Sequence, residues 1–144
     1  MRPRGARDGK RRDAESGVSA VEFVMLTPLA FLMIFLTVQF ALYMYSRHVA
    51  IAASQEGARV ARTEAATNTN WQTDATDEAD HWVTQLAPSL SSLGSQAAKE
   101  KVDGVDNVSV TVTVSVPSLF PWWSGSLSVT EMSEGPIEQF IPDN

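Results

Sequence analysis

The chain lacks cysteine altogether. This absence excludes disulfide bonds, cysteine-based zinc sites, iron–sulfur clusters and thiol catalysis. Catalytic motifs are also missing: there is no Ser/His/Asp grouping with a supporting motif, no glycine-rich phosphate loop and no paired-carboxylate motif. The chain has 144 residues, enough for a single domain or less. These absences predict a protein that is not an enzyme and that has no cofactor, no metal site and no small-molecule substrate.

Charge is scarce in one long stretch near the N-terminus. Residues 18–45 form an apolar run of 28 residues in which Glu22 is the only charged side chain. Because about 20 apolar residues are enough to cross a bilayer, the run predicts a single transmembrane helix. Pro28 lies inside the run, where its missing N–H is expected to kink or locally unwind the helix; a tolerated membrane proline without a functional kink is the alternative.

The charges outside the run are distributed unequally. Residues 1–16 carry six basic and three acidic side chains, whereas residues 46–144 carry five basic and thirteen acidic ones. The single apolar run predicts a single-pass protein of the cytoplasmic membrane. The positive-inside rule predicts that its N-terminus is cytoplasmic and its C-terminal part extracytoplasmic. The acidic outer part argues against a nucleic-acid partner, which requires a basic face.

The helical pattern continues past the apolar run, because residues 47–66 are rich in Ala, Arg, Glu and Gln. Small residues in this stretch recur at spacings of four, three and four and form a stripe on one helix face: Ala50, Ser54, Gly57 and Ala61. Small residues let a neighbouring element approach closely. The stripe is expected to seat the protein's own β-hairpin, in preference to a helix of another subunit.

A second amphipathic helix is predicted after a break at residues 67–70. Its apolar residues recur every three to four positions: Trp71, Ala75, Ala79, Trp82, Val83, Leu86, Leu90 and Leu93. Pro88 is expected to divide this segment, and Thr73 or Asp74 to cap it. Asp77 and His81 are four residues apart, but solvated charges explain them better than a shared metal ion.

A β-hairpin is predicted near the C-terminus. Valine alternates strictly with serine and threonine over residues 108–116, which indicates a strand with one apolar and one hydroxyl face. Residues 127–131 are its expected partner. The intervening loop carries Trp122 and Trp123, which we expect to contact a partner or the lipid interface; covering the small core is the alternative.

These elements predict an α+β fold in which a long N-terminal helix carries a small extracytoplasmic domain. The pattern divides the chain into four segments: a basic leader over residues 1–17, a transmembrane helix over 18–45, a helix extension over 46–66 and a small α+β domain over 67–144. The composition of the leader is typical of disorder.

The N-terminal residues resemble a known family. The stretch Gly17-Val18-Ser19-Ala20-Val21-Glu22-Phe23, followed by Thr27-Pro28, resembles the N-terminal signature of TadE-like proteins, the minor pseudopilins of the tight-adherence (Flp-type) pilus system. Residues 52–59 resemble the second stretch of that family, and the resemblance covers about residues 16–62. Phe23 stands where major Flp pilins carry tyrosine, and the chain is longer than theirs. Both departures favour a minor component.

The resemblance implies a role in assembly. It implies that prepilin peptidase cleaves between Gly17 and Val18 and that the membrane subunit then joins other pilins or pseudopilins and the pilus assembly platform. Glu22 would pair with the N-terminal amine of a neighbouring subunit and set its register, with Phe23 beside it. Such pairing is physically reasonable, because two charges that are each costly in lipid offset one another. The alternative for Glu22 is a position near the headgroups.

The sequence also allows a second hypothesis from a different functional class. The chain could be an unprocessed signal-anchored membrane protein whose outer domain binds a ligand or an envelope partner. The pair of Gly17 and Glu22 distinguishes the two hypotheses, because a simple anchor needs neither residue. A membrane-tethered enzyme is disfavoured by the size of the outer domain and by the missing catalytic motifs.

Overall fold

The computed structural model of the protein describes residues 8–119 and 127–138, with side chains from residue 20 onward. The described elements follow in the order α1 (Asp8–Glu64), α2 (Trp71–Leu86), β1 (Ser92–Val102), β2 (Val105–Ser115) and β3 (Ser128–Pro136). The predicted α+β class with a long apolar N-terminal helix is thus confirmed.

The chain divides into two compact units, Met1–Val38 and Gln39–Asn144, and α1 contributes to both. The helix begins at Asp8, so residues 8–17 are helical and the prediction of a disordered leader is wrong for them. The physical reason is that this stretch contains good helix formers and no proline, so that a helix nucleated in the apolar run can extend into it. The C-terminal unit begins inside the segment predicted to be transmembrane.

The three strands form one antiparallel sheet in the order β1-β2-β3, with β2 in the centre. The predicted valine face is confirmed, because five valines of this segment are buried: Val108, Val110, Val112, Val114 and Val116. The hydroxyl face is partly exposed, and Thr113 and Thr130 share a hydrogen bond of 2.9 Å across it. One face of the sheet therefore supplies the core.

Both helices meet the valine face of the sheet at Gly57 of α1. A Cβ atom placed on Gly57 would lie 3.0 Å from Val110 of β2, and equally close to Ala79 of α2. The core of the C-terminal unit consists mainly of alanine and valine between these elements. Small side chains allow the helices to lie close to the sheet. The core therefore stays closely packed although each side chain fills little volume.

The second helix ends earlier than its leucine repeat predicts. It stops at Leu86, and Ala87 has left the helical region with φ −147° and ψ 75°. Pro88 explains the stop, because a proline disfavours helical geometry in the residue before it. Leu90 is buried in the following turn, but Leu93 is exposed in β1, so the helical assignment of these two leucines is wrong.

The start of α2 also differs from the prediction. Asn70, not Thr73 or Asp74, occupies the N-cap, and its backbone N–H donates to Oδ1 of Asn68 at 2.9 Å. Asp74 lies in the first turn, where its carboxylate accepts a hydrogen bond of 2.7 Å from Asn68. An acid in this position stabilises the helix through its dipole. The predicted break before α2 is confirmed.

The strand β1 is the element that the sequence pattern did not predict, so the sheet has three described strands where a hairpin was expected. It joins β2 through a turn in which Asp103 has φ 50° and Gly104 has φ 84°. Two successive positive φ values identify a type I′ turn, the geometry that suits tight hairpins. After β3, the buried Ile137 donates its backbone N–H to Asp106 O at 3.0 Å.

Candidate functional site

The segment with the candidate cleavage and assembly residues lies in the first half of α1. Gly17 and Val18 are helical, and Glu22 and Phe23 follow about one turn later in the same helix. Val18 and Glu22 are four residues apart and therefore lie on the same helix face. Both Glu22 and Phe23 are exposed, the latter to 71%. A carboxylate is thus presented on an otherwise apolar helix surface.

The helix continues through Pro28. A proline has no N–H to donate, so the helix loses one backbone hydrogen bond at this position. The preceding Thr27 donates its hydroxyl to the Phe23 carbonyl oxygen at 2.7 Å. A threonine hydroxyl bonded to the carbonyl four residues earlier is a feature that bends membrane helices. The kink predicted at Pro28 stays a prediction.

The apolar part of α1 exposes large hydrophobic side chains on all sides between residues 20 and 38. They are Val21, Phe23, Val24, Met25, Leu26, Leu29, Phe31, Leu32, Met33, Ile34, Phe35, Leu36 and Val38. Among the described helices, this is the one that is long and apolar enough to cross a membrane by length and composition. A helix that is apolar all round requires an apolar environment. The helix therefore indicates a single-pass membrane protein.

The stripe of small residues lies in the second half of α1 and is buried: Ala50, Ser54, Gly57 and Ala61. Gly57 has the closest neighbours, since a Cβ atom there would lie 2.8 Å from the carbonyl oxygen of Ala75. The Ser54 hydroxyl donates to Ile51 O at 2.9 Å, within its own helix. At Gly57 the stripe therefore lies against α2 and β2 of the same chain.

A polar contact that sequence reasoning missed ties the start of the C-terminal unit to the end of β2. The side-chain amide of Gln39 donates to Pro117 O at 3.0 Å and accepts from the Leu119 N–H, also at 3.0 Å. One indication of this contact is present in the sequence, because Gln39 is the only Asn or Gln in the apolar run. Trp122 and Trp123, the predicted contact residues, lie outside the described residues.

Charged side chains of the C-terminal unit form short ion pairs at its surface. Arg47 donates to Glu131 at 2.7 Å, and this hydrogen bond raises the pKa of Arg47. The Asp80 carboxylate accepts two hydrogen bonds of 2.7 Å, from the hydroxyls of Ser92 and Ser95, and so links α2 to β1. In the part of the chain that the structure describes, no three His, Asp or Glu residues are grouped to hold a metal ion.

Comparison with known proteins concerns most of α1. Residues 17–59 match the family model described as TadE-like protein. The N-terminal segment is TadE-like. The family groups membrane proteins associated with the tight-adherence pilus. The TadE-like segment starts at Gly17, ends within α1, and leaves α2 and the sheet outside the match. No curated protein and no solved structure matches the chain.

Proposed function

We propose that the protein is a minor pseudopilin, a non-enzymatic membrane subunit that assembles into Flp-type tight-adherence pili or the related secretion machinery. The observation that carries the proposal is the Gly17–Glu22 spacing inside the TadE-like segment, on a helix whose apolar surface is exposed. An isolated membrane anchor has no need of an acid in its apolar surface, since the acid is costly in lipid.

Insertion is the first step of the proposed function. The basic leader stays in the cytoplasm and the acidic C-terminal unit is extracytoplasmic, as the positive-inside rule requires. Residues 18–38 are then long enough to cross the hydrocarbon, which takes about 20 residues. The C-terminal unit begins directly after them, at Gln39.

Processing is the second step. Prepilin peptidase cleaves the bond between Gly17 and Val18 and removes the leader with its excess of basic side chains. Gly17 lacks a Cβ atom and leaves the bond accessible to the enzyme. Because the bond lies within α1, this end of the helix must open locally before cleavage. The new N-terminal amine on Val18 carries a positive charge.

Assembly is the third step. Glu22 pairs with the Val18 amine of a neighbouring pilin or pseudopilin, and Phe23 packs beside it in the helix bundle. Each charge is costly in hydrocarbon when alone, so the pairing favours one axial register between subunits. The pilus assembly platform is the proposed site of this step. The small-residue stripe is buried, and its Gly57 lies against α2 and β2, which supports a packing role inside the subunit.

The proposal is tested by the intact mass and N-terminal sequence of the chain purified from native membranes. The expected chain begins at Val18. The variant Gly17→Leu is expected to keep residues 1–17, whereas the control Gly9→Leu, at another glycine of the leader, is expected to be processed normally. A native chain that retains its leader contradicts the processing step.

One observation favours a second candidate, an unprocessed signal-anchored protein that binds a ligand or an envelope partner. The helix runs without interruption from Asp8 through Gly17 and Val18, and a peptide bond in a stable helix is a poor protease substrate. The same mass measurement distinguishes the two candidates, because only the second predicts that the leader remains.

A further inference from the structure

The C-terminal unit has a distinct end at which the chain enters it. Gln39 is its first residue and is bonded through its side chain to Pro117 O and Leu119 N. Close by, the Tyr45 hydroxyl donates to Leu86 O at 3.0 Å. The proximal end, as we name it, comprises residues 39–46, 83–95, 113–119 and 127–130.

The opposite end of the unit is fixed by the direction of α1 along the sheet. The helix passes Val110 at Gly57, and at Arg62 it reaches Gly135, which pairs with Val108. The helix therefore runs from the end of β2 toward its start. The β1–β2 turn belongs to the distal end, farthest along the sheet from Gln39.

The two ends differ in charge. The described residues of the proximal end include no Asp, Glu, Lys, Arg or His. They expose leucine side chains to between 38% and 56%: Leu86, Leu93, Leu119 and Leu127. The distal end instead carries alternating charges around the turn, where Lys99 and Lys101 pair with Asp106. Exposed leucines without accompanying charge indicate a surface that is covered in the working protein.

The charges closest to the proximal end are held by polar partners. Arg47 follows it on α1 and pairs with Glu131 on β3. Asp80 precedes it on α2 and is held by two serine hydroxyls. The charged groups that border the proximal end are therefore held in place by partners on the C-terminal unit itself.

We propose that the proximal end is seated in the headgroup layer of the bilayer that residues 18–38 cross, with the exposed side chains of Leu119 and Leu127 in contact with lipid. This inference requires the membrane-spanning step of the proposed function, but not cleavage or pilus assembly. Lipid is the expected occupant of this surface because no linker separates the span from the C-terminal unit. Gln39 follows the span directly, and its side chain accepts a hydrogen bond from the Leu119 N–H.

The dimensions of a bilayer agree with this placement. Each headgroup layer is about 5–7.5 Å thick, which is half the difference between a total thickness of roughly 40–45 Å and a hydrocarbon core of roughly 30 Å. At about 1.5 Å per residue, residues 39–43 of a helix cross such a layer. Tyr43 is exposed in this stretch, and tyrosine is enriched at membrane interfaces.

The test uses nitroxide labels on single cysteines, since the natural chain has none. Leu119→Cys and Leu127→Cys report on the proximal end, and Val105→Cys is the matched distal control, because Val105 is also an exposed apolar residue. Ile34→Cys is the reference inside the span. Each full-length variant is placed in vesicles of phosphatidylethanolamine and phosphatidylglycerol, and relaxation by oxygen is compared with relaxation by a water-soluble nickel complex.

The expected result is an oxygen-to-nickel ratio at both proximal labels that is severalfold higher than at Val105 but below that at Ile34, as a position in the headgroup layer requires. A ratio equal to that at Val105, with Ile34 in lipid, overturns the inference and leaves the proposed function intact. Protection from both reagents also overturns it and indicates that protein, such as a second copy, covers this end. An aqueous signal at Ile34 overturns the membrane-spanning step itself.

Discussion

Gly57 of α1 lies against Ala75 of α2 so closely that a Cβ atom on the glycine would be 2.8 Å from the alanine carbonyl oxygen. The obstacle is backbone, which cannot rotate away as the end of a side chain can. Gly57→Ala is therefore expected to lower the free energy of unfolding of the C-terminal unit by about 1–3 kcal/mol, the usual cost of overpacking. Urea unfolding of the full chain in detergent measures the change.

The sign of this change is informative, because helix propensity alone predicts the opposite result. Alanine is about 1 kcal/mol better than glycine inside a helix when nothing contacts it. The control is Gln55→Ala, an exposed position of the same helix, which we expect to change stability by less than about 0.5 kcal/mol. A stabilised Gly57→Ala variant would show that α1 and α2 are not packed as described.

The turn between β1 and β2 gives a second prediction. Gly104 has φ 84°, and no atom lies within 4 Å of a Cβ built on it, so any cost of a side chain is conformational. Gly104→Ala is expected to destabilise the unit by about 1 kcal/mol, the penalty of a left-handed conformation for a residue with a Cβ atom. Asp103→Asn is the control and should be tolerated, since Asn-Gly also favours a type I′ turn. If urea unfolding gives Gly104→Ala the same free energy of unfolding as the natural chain, the left-handed geometry at Gly104 is contradicted.

The elements that could be predicted from the sequence are those whose burial follows a simple period. Valines at every second position from Val108 to Val116 are all buried, as a strand with one covered face requires. Ala75, Ala79 and Val83 recur at helical spacing and are buried in α2. In both segments local pattern and tertiary packing agree.

The strand β1 could not be predicted from periodicity, because its burial has none. Of its eleven residues, Ser92–Val102, eight are exposed and three are half-buried. Its central residues Ala97, Ala98 and Lys99 favour helix more than strand. The strand forms because it completes the edge of the sheet. Only the Asp103-Gly104 turn signalled it, since Asp-Gly is a strong indicator of a hairpin.

The candidate site shows the same division. Gly17 and Glu22 are a feature of local spacing and could be found in the sequence. The contact of Gln39 with residues 117 and 119 joins positions about 80 residues apart and depends on the sheet lying beside α1. No local pattern encodes such a contact, so it became visible only with the fold.

The ion pair at the distal end gives a prediction about pH. The hydrogen bond from Lys99, 3.1 Å long, holds the pKa of Asp106 below its ordinary value, and the charge of Lys101 at 3.7 Å acts in the same direction. A carboxyl whose pKa is lower in the folded state stabilises the fold above its unfolded pKa. That contribution is lost as the pH falls through the folded pKa.

Lys99→Met is therefore expected to raise the pKa of Asp106 toward its ordinary value and to reduce the acid dependence of unfolding. Carboxyl chemical shifts recorded against pH measure the change. Lys101→Met is the matched comparison and should have the smaller effect, because its contact is longer. A larger effect of Lys101→Met would mean that the charge of Lys101, rather than the hydrogen bond of Lys99, dominates.

Gln39 gives a prediction that is specific to one amide proton. Because its side-chain oxygen accepts the Leu119 N–H, Gln39→Leu is expected to speed hydrogen exchange at Leu119 about fivefold, corresponding to a net hydrogen-bond energy of about 1 kcal/mol. Gln39→Glu keeps an acceptor and should retain more of the protection. Gln55→Leu, in the same helix, should have no effect. Unchanged exchange in Gln39→Leu would show that this contact does not form in the membrane-bound protein.

Glu22→Gln tests the assembly step separately from insertion and processing. Removing a formal charge from an apolar helix makes insertion easier, so the variant should reach the membrane and lose its leader as the natural chain does. Without the carboxylate, however, the amine of a neighbouring subunit has no partner, and we expect the variant to be absent from sheared pili and from high-mass membrane complexes. Glu100→Gln, which removes an exposed acid from β1, is the control and should assemble normally. If Glu22→Gln assembles as well as this control, the carboxylate does not set the register, and its position near the headgroups becomes the better explanation.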